Sequence, residues 1–158
     1  MSGAEVDVRA ADLADPAQAS ALVEILDAYA REPNGQSAPL AAEARARLAE
    51  GLRAHPTAFV LLAWDGVRPV GAAVCFVGFS TFAGRPLVNL HDLAVLPGQR
   101  GRGIGSRLLA AVERRARELG ACKVTLEVHD TNHGAKRLYA ETGFGPWSSP
   151  TLFVSKRL

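Results

Sequence analysis

The feature that most restricts the fold of this 158-residue chain is an apolar strand-like run, a glycine-rich turn and a helix start in direct succession: Leu90-His91-Asp92-Leu93-Ala94-Val95-Leu96-Pro97-Gly98-Gln99-Arg100-Gly101-Arg102-Gly103-Ile104-Gly105-Ser106. Strand, tight loop and helix in that order form an anion site. Glycines at 101, 103 and 105 let the main chain come close to a bulky group, and the unpaired N–H groups of a helix start direct the positive end of its dipole toward it. A pyrophosphate fits that description; the same segment on its own also serves as a plain tight connection.

The rest of the pattern surrounds this segment with a sheet and helices. Val6 and Val8 alternate with polar residues as a short strand does, and Asp15-Pro16 supplies an N-cap and a first-turn proline for a helix running to about Ala30. Gln18 completes an Asp-x-x-Gln capping pattern, and Ala21, Leu22, Ile25, Leu26 and Tyr29 share one face. Arg31 to Pro39 collects breaker residues and is expected to be a mobile loop before a second helix from about Leu40 to Ala54. Phe59 to Trp64 and Val70 to Phe79 read as antiparallel strands around Asp65-Gly66, and Val88 to Val95 as another strand. A helix from about Gly103 to Leu119 carries Ile104, Leu108, Val112 and Leu119 inward and stops at Gly120. Lys123 to Val128 forms a strand, Asn132 to Thr142 a helix stopped by Gly143, and Leu152 to Val154 a last strand. The expected fold class is α/β with a mixed central sheet flanked by helices, and the length predicts a single domain over residues 1–158.

Composition excludes several classes of function. Eighteen Lys and Arg against sixteen Asp and Glu leave a formal charge of +2, too little to make nucleic acid or an anionic membrane the expected partner. The arginines from Arg107 to Arg117 alternate with Glu113 and Glu118 at helical spacing, which favours a solvated, ion-paired face. Cys75 and Cys122 lack C-x-x-C spacing, so they are expected to be buried thiols in a reducing, cytoplasmic setting. Residues 1–5 show no basic region followed by an apolar stretch, and Val70 to Phe79, the longest nearly apolar run, is too short to span a bilayer, so the chain is expected to be soluble and unexported. His129 and His133 have ligand-like spacing, but the turn sequence between them and the lack of a third ligand predict no metal site.

Known anion motifs narrow the chemistry. A P-loop needs Gly-Lys followed by Ser or Thr, which is absent. A dinucleotide fingerprint could begin at Gly101-x-Gly103, with Glu127 as its ribose-binding acid, but its third glycine position holds Ser106. The chain lacks the Gly-x-Ser-x-Gly elbow of a serine hydrolase, so direct transfer is preferred over a covalent acyl-enzyme.

Arg100-x-x-Gly103-x-Gly105 after an apolar strand resembles the acetyl-CoA loop of the GNAT N-acetyltransferases. Leu126-Glu127-Val128, then Asn132, Ala135, Leu138-Tyr139 and Gly143-Phe144, is similar to that family's second cofactor segment, in the same order and at the same separation. The close match spans about Asn89 to Trp147. Phe79 to Pro86 leading into Leu90-His91-Asp92 resembles the diamine and thialysine acetyltransferase branch, whose pattern has a Glu where this chain has His91.

The resemblance implies a GNAT fold and acetyl transfer from acetyl-CoA to a primary amine of a small molecule such as a polyamine or amino acid. Amides from Arg100, Gly101, Arg102, Gly103, Ile104, Gly105 and Ser106 would take the pyrophosphate, with the Arg100 or Arg102 side chain adding charge. Leu93, Ala94 and Val95 would hold the pantetheine arm, the Val95 N–H would face the acetyl oxygen, and Asn132 and Ala135 would complete the cofactor site. The amine is protonated at neutral pH, so a base is required. Asp92 by motif and His91 by the proton affinity of an imidazole are the candidates, directly or through water, and strand alternation expects only one of them to line the cleft. Tyr139 would protonate the departing thiolate. A bland alternative remains for each: a core tyrosine, a hydrogen-bonded His91-Asp92 pair, and an Asn132 that only caps its helix. A silent acyl-CoA-binding module is the rival function, and a homodimer is compatible with the C-terminal tail. Acceptor selection is expected to reside in Arg31 to Pro39 and Phe79 to Pro86.

Overall fold

The computed structural model describes residues 5–158; residues 1–4, which carry most of the leader reading, lie outside the described residues. The elements run β1 (Asp7–Ala10), α1 (Pro16–Ala30), α2 (Ala42–Ala54), β2 (Ala58–Asp65), β3 (Arg68–Ser80), β4 (Arg85–Val95), α3 (Ile104–Glu118), β5 (Val124–Leu126) and α4 (His133–Glu141). The strands form one five-stranded sheet in sequence order, antiparallel except for the parallel β4–β5 pair. A parallel neighbour needs a crossover connection, which α3 provides.

The sheet separates two apolar layers. On one face Ala63, Val70, Ala73, Cys75, Val88 and Leu90 pack against Ile104, Leu108 and Val112 of α3 and Tyr139 of α4. On the other, Val60, Leu62, Ala72, Val74 and Ala94 meet Leu22, Ile25 and Leu26 of α1. Gly71 lets the start of α3 sit close to β3, since a Cβ there would lie 3.2 Å from both Ile104 Cγ2 and Leu108 Cδ1.

Most helix ends follow their sequence signals. Asp15 accepts from the Ala17 N–H at 2.9 Å, Gly120 (φ +71°) follows α3, and Gly143 (φ +92°) follows α4. Gln18 differs: its Oε1 accepts from the Asp12 N–H at 3.0 Å rather than from the capping residue's own amide, because the chain turns at Asp12 before it enters α1.

Several expectations need correction. Leu152 to Val154 forms no strand; each of these residues is largely exposed, and no neighbouring edge among the described residues supplies a ladder for them. Strand β5 is only Val124–Leu126, so Val128 lies beyond it. Cys75 is buried, but Cys122 is half-buried and sits in the bend before β5. Residues 31–39 are folded rather than loose: the amides of Gly35 and Ser37 donate to Glu32 O, and those of Gln36 and Ala38 to Ala30 O.

Candidate active site

The site lies where two parallel strands part. Strand β5 pairs with β4 only over Val88 to Leu90, leaving Leu93 to Val95 without a strand neighbour on that side among the described residues. The Leu96 N–H donates to Val70 O on the β3 side, so strand alternation turns the Leu93 and Val95 main-chain groups the other way, into the gap. Arg100 confirms this orientation: its Nε and Nη2 donate to Val95 O at 3.2 and 3.1 Å.

A bulge accompanies the parting. Val74 pairs with Asp92 and Cys75 with Leu90, so His91 is an extra residue in β4. Alternation breaks there. Asp92 lies opposite Val74, on the α1 face, and the His91 ring meets Phe76 of that same layer edge-on at 5.4 Å. Both residues line the cleft, contrary to the expectation that only one would.

The gap contains two adjoining cavities. The first, about 460 Å³, brings together Leu93, Ala94, Val95, Arg100, Gly101, Gly103, Ile104, Gly105, Ser106, Asn132, Ala135 and Tyr139. The second, about 540 Å³, shares Leu93, Asn132, Ala135 and Tyr139 with it and adds His91, Asp92 and Glu127. Of the expected site residues, only Arg102 lines neither. Its Nη1 donates to Asp65 Oδ2 at 2.7 Å and to Gln99, which holds the side chain at the hairpin turn.

The turn before α3 suits an anion. Gly101 and Gly103 have φ of +77° and +74°, a left-handed conformation that keeps a side chain off the turn. Among the described residues, the amides from Arg100 to Ser106 have no protein acceptor, and the first such bond of α3 is Arg107 N–H to Gly103 O at 3.1 Å. Gly105 serves packing, as a Cβ there would come within 2.9 Å of Leu138 Cδ2. The loop after α1 reaches across to this turn, where Glu32 pairs with the Arg100 guanidinium.

Tyr139, at 7% exposure, projects from α4 into both cavities. Burial pushes its phenol up to about 12, with Tyr29 adding to the rise. Its hydroxyl has no protein partner among the described residues, and Phe144 packs edge-on against its ring at 5.7 Å. Asp92 is held above the usual carboxylate range by burial, an effect partly offset by His91. Asn132 caps α4, accepting from the Ala135 N–H at 3.1 Å through Oδ1, which leaves its amide hydrogens to the cavity.

Some residues here were not singled out for the site by sequence. Tyr29 lines both cavities, donates to Asn34 O at 3.2 Å and is raised by burial, then by Asp92 and Glu32. Glu127, weighed as a ribose-binding acid and as part of the second cofactor segment but not as an acceptor-site residue, lines the second cavity together with Asp92. Only the exit of β5 into the gap places it there. Residues 31–39 contribute Glu32 and Asn34 to the first cavity, beside the glycine turn. Phe79 to Pro86 does not: it is the β3–β4 hairpin end, far along β4 from Asp92. Among the described residues there is no cluster of His, Cys, Asp or Glu able to hold a metal ion and no helix long and apolar enough to cross a membrane.

Comparison with known proteins gives the family and the fold. The uncharacterized N-acetyltransferase YhfO of Bacillus subtilis is 30% identical over 88% of this chain and 89% of its own length. The thialysine N-epsilon-acetyltransferase of Bos taurus is 36% identical over 50% of this chain and 46% of its own. An aminoglycoside acetyltransferase from an uncultured soil metagenomic sample, solved with sisomicin, shares the fold with a TM-score of 0.80 at 18% identity, covering 97% of both chains. The sequence profile of the acetyltransferase (GNAT) family matches residues 19–144, and with the cleft described above this chain belongs to that family of N-acetyltransferases.

Proposed function

We propose that the protein transfers the acetyl group of acetyl-CoA directly to a primary amine of a small molecule. The observation that carries this reading is the coincidence of free amides at the glycine turn with an unpaired strand edge and an unpartnered phenol around one cleft. The fit to coenzyme A is physical: left-handed turn glycines and unpaired amides suit a pyrophosphate, and the β4 edge suits the amides of a pantetheine arm. Acetyl-CoA, when bound, supplies an acyl group already activated as a thioester.

The chain's own residues orient and exchange protons. The amides of residues 100–106 grip the phosphates, and the Leu93 and Val95 main-chain groups align the arm. The Val95 N–H faces the carbonyl oxygen on which negative charge develops, a contribution whose loss costs about a hundredfold in rate. Asn132 donates to the arm through its free amide hydrogens. Asp92 or His91, directly or through water, removes the amine proton, and burial brings the Asp92 carboxyl closer to the working pH of a base. Tyr139 keeps its proton at neutral pH and gives it to the sulfur as the C–S bond breaks.

The named substrates of relatives, thialysine for the bovine protein and aminoglycosides for the soil protein, are amines and accord with this reading. Incubation with acetyl-CoA and a panel of amines, read as thiol release, tests it. Release with an amine and none without is expected. Coenzyme A binding by calorimetry without release on any amine would leave the silent acyl-CoA-binding module as the function.

A further inference from the structure

The charge of each arginine in the glycine turn is already answered by a carboxylate: Arg102 by Asp65 and Arg100 by Glu32. Among the described residues lining the cofactor cavity, Glu32 and Arg100 alone carry a formal charge, and the two cancel. The main-chain amides and the dipole of α3 are left to hold an anion. Arg100 is committed further. Its Nε and Nη2 close on Val95 O at 3.2 and 3.1 Å, and the same Nη2 meets Glu32. The side chain therefore folds back over the turn that leaves β4, where the Gln99 N–H donates to Leu96 O at 3.0 Å.

This clasp fixes the peptide plane after Val95 at both ends. Its N–H, on Leu96, donates to Val70 O at 2.9 Å, and its C=O accepts from Arg100. The plane before Val95 is held as well, with Ala94 O so close to β3 that a Cβ on Gly71 would come within 3.1 Å of it. The Val95 N–H is thus aimed into the gap by bonds on either side of it. The clasp also sets the span between that N–H and the amides of the turn, the two places at which one cofactor is gripped at once. We propose that Arg100 is a positioning residue of the transfer rather than a ligand of the pyrophosphate: its planar fork, braced by Glu32, holds the Val95 N–H in register with the glycine turn. A lysine ammonium supplies the charge but cannot span Val95 O and Glu32 in one fixed plane. Because Val95 O is taken, the Leu93 main-chain groups and the Val95 N–H are what remains of this edge for the arm. A donor misplaced by about an ångström costs rate, up to about a hundredfold, so loss of the clasp falls on kcat.

This inference rests on the acetyl-transfer reading, and its test separates the two. Steady-state kinetics with the best amine of the panel, and calorimetry with coenzyme A, are compared in the intact protein, in Arg100→Lys and in the double variant Glu32→Gln with Arg100→Gln. The first keeps the charge and loses the fork. The second removes both charges together, so no lone carboxylate is left facing the phosphates. Both are expected to lower kcat by about tenfold or more, while the Kd for coenzyme A stays within about threefold of its original value. A side chain that bound the pyrophosphate would give the reverse pattern: undiminished kcat in R100K, and coenzyme A binding weakened by about tenfold or more in the double variant. Either of those results overturns the proposal and leaves acetyl transfer standing. R100K preserves length and charge, so it carries the test even if the double variant fails to fold. Transfer to no amine by the intact protein overturns the acetyl-transfer reading and this inference with it.

Discussion

Tyr139 and Asp92 are held away from their ordinary titration by the same cause, burial beside the cleft, but with opposite consequences for function. A phenol pushed up to about 12 keeps its proton across the neutral range and remains a donor. Tyr139→Phe keeps the ring packed on Phe144 and is expected to lower kcat by about a hundredfold with little change in acetyl-CoA affinity, as read by steady-state kinetics and calorimetry. For Asp92 the raised carboxyl means that the folded protein holds the proton more tightly than the unfolded chain. Stability from this group is therefore full below its unfolded value of 3.8 and declines as pH rises through the higher folded value. Asp92→Asn removes the buried charge, so it is expected to raise Tm at pH 7, by roughly 2–4 °C for each kcal/mol recovered at this chain length, while acetyl transfer falls. A fall in Tm would show that the charge is compensated in the folded protein. This is the stability a reactive carboxylate forgoes.

At the scale of elements, the connection after α1 is organised by Asp27. Its carboxylate accepts from Arg31 Nε at 2.9 Å, Arg45 Nη1 at 3.0 Å and the Leu40 N–H at 2.8 Å, joining α1, the loop and α2. The Arg31 and Leu40 bonds hold its carboxyl below the usual range, so its contribution is present above 3.8 and is lost as pH falls through the lower folded value. Asp27→Asn is expected to lower Tm at neutral pH and to flatten the acid side of the stability curve below about pH 4, measured by thermal melts across pH. Periodicity made α1 legible as a helix with Leu22, Ile25 and Leu26 inward, yet it could not mark Asp27 as buried, because the partners that permit this lie 4 to 18 residues further along. The same limit explains the other departures. The glycine turn, the α3 stripe and the Asn132 cap are local and were readable. The bulge at His91 depends on how β4 registers against β3, the place of Glu127 on how far β5 diverges, and the missing final strand on whether an edge is there to receive it.

Across the whole molecule, β4 is paired with β3 along nearly its whole length but with β5 only over Val88 to Leu90, and the cleft lies where β4 and β5 part. An unpaired edge and unpaired helix-start amides are partners awaiting a ligand, so binding should show in global stability. Coenzyme A at a hundred times its Kd is expected to stabilise the fold by about 2.7 kcal/mol, or several degrees in a thermal melt; no shift at such a concentration would argue against the cleft as its site. The bulge carries a last consequence. Leu90 packs in the α3 layer and Asp92 faces the α1 layer, so removing His91 would make these neighbours alternate as in an unbroken strand, with every core side chain still on its own face. A chain shortened by that one histidine should therefore melt cooperatively and keep its circular dichroism, yet lose the crevice as β4 straightens toward β5. The capacity to hold a substrate would then be traced to a single miscounted step in a zip that is otherwise perfectly able to close.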